Sequence, residues 1–100
     1  MEIKTSVDGN KATIEVAGKL TVNTSPDLSA AVDQLPNDVC DLDLNLAKVD
    51  YVASAGLRVL VATDKLAVKR GGTLRLLHPT DDVMEVLEIT GLSDVFIIER

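Results

Sequence analysis

The stretch Leu42-Asp43-Leu44-Asn45-Leu46 alternates apolar and polar side chains without a break, the period of a strand with one dry face. Extended back to Val39, it puts Cys40, Leu42, Leu44 and Leu46 on one side and Asp41, Asp43 and Asn45 on the other. A short apolar turn, Val49 to Ala53, follows. A helix then opens at Ser54-Ala55-Gly56-Leu57, runs through Arg70 and stops at Gly71-Gly72.

Upstream, Ile3 to Val7 and Ala12 to Ala17 flank Asp8-Gly9, a favoured pair for a tight hairpin turn. Gly18 closes the second strand, and Lys19 to Asn23 is a connection. Thr24-Ser25-Pro26 starts a helix, with Ser25 as its cap and Pro26 at a position that needs no N–H. Leu28, Ala31, Val32 and Leu35 form its apolar stripe, and Pro36-Asn37 ends it. Downstream, Thr73 to Leu77 reads as a strand, His78-Pro79 as a breaker, and Thr80 as the cap of a helix carrying Asp81 and Asp82 in its first turn. Val83, Met84, Val86 and Leu87 form its buried side, and Gly91 suits the left-handed position after it. Val95 to Ile98 is a last strand, apolar enough to be well covered.

The order hairpin, helix, strand, helix, strand, helix, strand predicts an α/β domain over residues 1–100 with a mixed, mostly parallel sheet. A central strand covered on both faces reads as continuously apolar. The alternation at 42–46 therefore places the helices mainly on one face and leaves Asp41 and Asp43 on a solvated one. Cys40, in phase with Leu42, is read as a buried small hydrophobe.

Composition narrows the function. Hydrophobic residues are 46% of the chain but aromatics only 2%, so the core is aliphatic and few rings are available to stack bases. A net charge of -6 repels a phosphate backbone, and nucleic acid is excluded as a partner. Lys65, Lys69 and Arg70 cluster at a helix C-terminus, where cations are expected. No apolar run is long enough to insert into a membrane, and a lone cysteine fits a reducing cytoplasm. No His/Cys grouping has metal-ligand spacing, and Gly71-Gly72 follows a helix rather than opening one, so neither metal nor nucleotide cofactor is expected.

Ser54 carries the candidate chemistry. A serine at a helix start is first an N-cap, worth about 1 kcal/mol over alanine. It is also a place where a phosphoryl group is tolerated, because free amides and the helix dipole accept an anion. A partner docked over Val52, Ala53 and Leu57 would have to desolvate that charge, so modification would switch binding without refolding. A nucleophile elbow, G-x-S-x-G, needs glycine at Val52, and the only histidine, His78, lies beyond the next strand. Serine hydrolysis is thus the weakest reading. Leu57, Leu60, Val61 and Leu66 are assigned to the core.

The run Leu44-Asn45-Leu46 to Val49-Asp50-Tyr51-Val52-Ala53-Ser54-Ala55-Gly56-Leu57 resembles the signature of the STAS domain of bacterial anti-sigma-factor antagonists. In that family the helix opens with Asp-Ser-Ser/Thr-Gly-Leu. Gly18-Lys19-Leu20-Thr21 is similar to the family's Gly-Glu-Leu-Asp, and the ending from Gly72 to Phe96 also fits. The resemblance implies a binding protein rather than an enzyme. Unphosphorylated, it engages an anti-sigma factor of the serine-kinase type and releases the sigma factor. Phosphorylation at the position of Ser54 ends the contact, and a cognate phosphatase restores it. The implied partner surface comprises Thr21, Asn23, Val52, Ala53, Ser54, Ala55, Gly56 and Leu57. Ala53 and Thr21 stand where the family has acids, and Ala55 leaves no second hydroxyl. An alternative is a STAS subunit that docks to a transporter or signalling assembly without phosphorylation.

Overall fold

The computed structural model describes residues 1–100. Strands β1 (Glu2–Asp8) and β2 (Lys11–Leu20) form the predicted hairpin, with Gly9 at φ +62° in its turn. Helix α1 (Ser25–Asp33), strand β3 (Asp41–Val52), helix α2 (Ser54–Lys69), strand β4 (Leu74–Leu77) and helix α3 (Asp81–Ile89) follow. A short 3-10 turn, Leu92–Asp94, leads to the last strand β5 (Ile97–Glu99). The sheet runs β1-β2-β3-β4-β5, antiparallel at the hairpin and parallel elsewhere. No helix is long and apolar enough to cross a membrane.

The largest departure from the sequence reading is in β3. The segment from Val49 to Val52 is not a turn but the far half of one continuous strand. Pairing with β2 slips twice: Glu15 faces Asn45 but Ala17 faces Lys48, and Gly18 faces Val49 but Lys19 faces Tyr51. Each slip gives β3 one more residue than its neighbour, which is the signature of a bulge. The side-chain phase resets each time, so Leu42, Leu44, Leu46, Val49 and Val52 all face the same core although their spacing changes from two to three. Likewise Gly18, at φ +114°, does not close β2; it sits inside it, and pairing continues to Leu20.

One cluster of aliphatic side chains, joined by Phe96, holds the helices against one face of the sheet. Leu60 is fully buried, whereas Leu57, Val61 and Leu66 pack only at its margin. Thr80 caps α3 as expected, accepting from Val83 N at 3.3 Å, and its hydroxyl donates to Val49 O at 2.8 Å, tying the helix to the sheet. Gly71 (φ +86°) and Gly91 (φ +78°) take left-handed positions after α2 and α3. Gly72 is there for a different reason: a Cβ on it would lie 2.0 Å from the carbonyl oxygen of Cys40.

Several local assignments change. Thr24, not Ser25, is the N-cap residue of α1, and Ser25 is its first helical residue, with Oγ donating to Thr21 O at 2.5 Å. Cys40 is half-buried, because it precedes the strand instead of sitting within it. The last strand begins at Ile97 and lies at the sheet edge, so Val95 and Ile97 are exposed and only Phe96 and Ile98 pack inward. The face away from the helices is not simply solvated. Asp43 is only 5% exposed, covered by Arg75 from β4 and Lys11 from β2, whose charges neutralise it. Arg75 also reaches Glu99 at 3.0 Å.

Candidate functional site at the start of helix α2

Val52 ends β3 and Ser54 opens α2, so a single residue makes the junction. That residue, Ala53, has extended backbone (φ -84°, ψ 170°) and is the N-cap. Its N–H donates to Leu20 O at 2.7 Å, which pins the helix start to the end of β2. Ser54 is therefore the first helical residue and not the cap: with only Ala53 between strand and helix, the capping position falls to a methyl group. No side chain caps α2, and no acid lies in its first turn. The hydroxyl of Ser54 is exposed and makes no hydrogen bond within the chain. The result is an accessible hydroxyl beside backbone amides that have no side-chain acceptor, a local field favourable to negative charge.

Gly56 lets the helix sit this low. A Cβ there would meet Leu20 Cβ at 3.0 Å and Val52 Cγ1 at 3.1 Å, so the first turn of α2 rests directly on the ends of β2 and β3. Consequently Val52 (4% exposed) and Gly56 are interior supports and present no surface. Ala53, Ala55 and Leu57 are partly exposed around Ser54.

The loop from Thr21 to Thr24 forms the second wall. Thr21 Oγ1 accepts from Asn23 N at 3.2 Å and Thr24 N at 3.3 Å, an arrangement that folds the backbone as a short acidic side chain would. Thr21 N donates to Thr24 Oγ1 at 2.8 Å, and that hydroxyl donates onward to Lys19 O at 2.6 Å. This closed set of bonds leaves Val22 at the tip, 70% exposed. Tyr51 is also exposed, with Lys19 Nζ 6.0 Å from its ring centre and paired with Asp50 at 3.2 Å.

The fold thus sets Thr21 next to Leu20, which anchors Ala53 at the opening of α2 where Ser54, Ala55 and Leu57 follow, and leaves Asn23 exposed in the loop that Thr21 begins. Sequence reasoning missed Val22, Tyr51 and Arg58. Arg58 stands on the rim of two open grooves. One, of about 430 Å³, lies between α1 and α2 beside Val22, Pro26, Ala30 and Val59. The other, of about 360 Å³, lies between α2 and Leu92 beside Leu57 and Val61. The signal for Arg58 was its spacing of four from Ser54. His78, the weak candidate base, is a strained turn residue at φ 53° whose N–H donates to Glu99 O at 2.6 Å, and it shares no hydrogen bond with Ser54.

Residues 3–99 match the family model described as "Mlab, STAS domain". The chain belongs to the STAS-domain family. This STAS domain is 35% identical over 97 residues to the anti-sigma-B factor antagonist of Bacillus subtilis (strain 168), covering 95% of this chain and 89% of that protein. It is 31% identical over 96 residues to the anti-sigma-B factor antagonist of Staphylococcus aureus (strain NCTC 8325 / PS 47), with the same two coverages, 95% and 89%. These relatives group it with the anti-sigma-factor antagonists. Its fold superposes on a putative anti-sigma factor antagonist from Thermotoga maritima with a TM-score of 0.89 at 22% identity, covering 98% and 86% of the two chains. The phosphorylated form of the Bacillus cell fate determinant SpoIIAA gives 0.76 at 16% identity, covering 99% and 92%. Both structural likenesses speak to the architecture of the STAS domain.

Proposed function

We propose that this STAS domain is a cytoplasmic partner-switching antagonist, a binding regulator and not an enzyme. Unphosphorylated, it docks on an anti-sigma factor of the ATP-binding serine-kinase type and releases the sigma factor. In the switching step Ser54 Oγ attacks the γ-phosphorus of the partner's ATP, the bond to the bridging oxygen breaks, ADP leaves, and a base on the partner takes the hydroxyl proton. A phosphatase hydrolyses the ester and restores binding. This chain supplies the acceptor and holds no nucleotide itself.

The observation that carries the reading is the exposed Ser54 hydroxyl at the first position of α2, free of any hydrogen bond and set among Ala53, Ala55, Leu57 and Val22. A phosphoryl group adds nearly two negative charges there. The helix start accommodates them, whereas an apolar partner surface would have to bury them unpaired, at a cost of several kcal/mol. Each 1.4 kcal/mol is about tenfold in affinity, so the modification is sufficient to end the complex. The relatives named for antagonising anti-sigma-B factor support the choice of partner.

A second reading, docking to a transporter or signalling assembly without phosphorylation, draws on Ala53 and Thr21, which put no carboxylate beside Ser54. Titration of an anti-sigma kinase with wild type and Ser54→Asp, together with mass spectrometry after addition of ATP, separates the two. Under the switch, wild type binds and is modified at Ser54, and Ser54→Asp binds at least tenfold more weakly. Equal binding of both proteins, with no modification, would favour the second.

A further inference from the structure

The arginines of this chain are engaged with a single exception. Arg70 donates to the carbonyl oxygens of Pro36 and Val39, Arg75 grips Asp43 and Glu99, and Arg100 pairs with Asp81. Arg58 alone makes no hydrogen bond and no ion pair, in a chain where acids outnumber bases sixteen to ten. It is exposed, α2 carries no acid before Asp64, and the other charged residues on the rims of its two grooves, Asp33 of α1 and Lys65 of α2, are not bonded to it.

Its position relative to Ser54 gives this a purpose. Residues four apart on a helix lie on one face, with Cβ atoms about 6 Å apart, and an anion placed N-terminal to a cation at this spacing is the favourable orientation. Only a guanidinium offers a planar fork of donors that meets two phosphate oxygens at once. Resting on the phosphorylation of Ser54 proposed above, we infer that Arg58 is the intramolecular clamp for the phosphoryl group. It draws that group along α2 toward the two grooves whose rims it shares. The modified state is then held by two separate devices at opposite ends of one helical turn. Backbone amides at the start of α2 receive one side of the group and the Arg58 fork receives the other. The phosphoryl group thereby obstructs the surface between Ala55 and Val59 as well as charging it.

The test avoids any natural kinase. Phosphoserine is placed at position 54 during translation in wild type, Arg58→Gln and Arg58→Lys, and the phosphate is titrated by phosphorus NMR. Free phosphoserine loses its second proton near pH 6. Pairing with Arg58 predicts a value in wild type lower than in Arg58→Gln by about half a unit or more, with Arg58→Lys in between. The unphosphorylated proteins should melt together, since Arg58 has no partner to lose. Identical titrations of the wild-type and Gln proteins would overturn the clamp. A clamp that titrates as predicted, in a protein that no anti-sigma kinase modifies, would instead remove the partner switch and leave the Arg58 pairing standing.

Discussion

Arg75 holds Asp43 by two parallel hydrogen bonds, Nε to Oδ1 at 2.8 Å and Nη2 to Oδ2 at 2.7 Å. The two residues lie side by side on adjacent parallel strands, and Lys11 closes on the same carboxylate at 3.0 Å from the other side. Burial alone would push the Asp43 carboxyl up, but the hydrogen bonds from Arg75 and Lys11 and their charges outweigh it and hold the group below its ordinary 3.8. The same bond raises Arg75 above its usual range.

A carboxylate depressed in the folded state stabilises the protein above its unfolded value and stops doing so as pH falls through the folded one. Wild type should therefore exceed Asp43→Asn in urea stability at neutral pH, and the gap should begin to close below pH 3.8. The charges of Glu99 and Asp41 also act on the same guanidinium, so the comparison is made against Asp43→Asn and not against wild type alone. A gap that stays constant down to complete acid unfolding would show that the ion cluster is not its source.

Ala53 occupies a capping position with cap-like backbone but no acceptor. Ala53→Asp should supply one to the first-turn amides and stabilise the fold by about 1 kcal/mol, seen as a rise in melting temperature of about 4–8 °C. With phosphoserine at 54 the gain should disappear, because two anions then share one helix start. Calorimetry of both forms checks the pair of outcomes.

The adjacent glycines after α2 should respond differently to the same methyl group. Gly71→Ala keeps open space around the new Cβ and suffers only its left-handed backbone, about 1–2 kcal/mol. Gly72→Ala drives a Cβ into the Cys40 carbonyl and should cost about 3 kcal/mol or more, as β3 and β4 are pushed apart. Equal unfolding midpoints for the two variants would refute the close approach.

Leu44, 2% exposed in the centre of the sheet, should lose about 2–5 kcal/mol on replacement by Ala. Val95→Ala, at an exposed position before the edge strand, should stay within about 0.5 kcal/mol of wild type. Chemical denaturation of both proteins measures the contrast directly.

Element order and the choice of covered face were legible because Leu42, Leu44 and Leu46 keep a strict period and because Asp8-Gly9, Thr80 and Gly91 mark their boundaries by local chemistry. The far half of β3 was not, since its bulges give Val49 and Val52 a spacing that imitates a turn. Asp43 looked solvated because its cover comes from Lys11 and Arg75, each 32 residues from it in sequence and visible only once the strands are laid side by side. At the candidate site, Ser54 was found from its neighbours, but its place one residue inside the helix depends on the backbone of Ala53, which no residue type announces. Val52 and Gly56 looked like surface and proved to be the floor, because what decides their exposure is how closely α2 settles on Leu20.

The two supernumerary residues of β3 have an implication for how this domain can vary. Ala47, Lys48 and Asp50 are all exposed, so nearly any side chain could replace them. Losing one of them is another matter: the spacing of two would return with Val49 and Val52 still facing the core, but the bulge and its bend would be gone, and the serine beyond would be carried round to a different bearing. In this segment the chain has freedom of spelling but none of length.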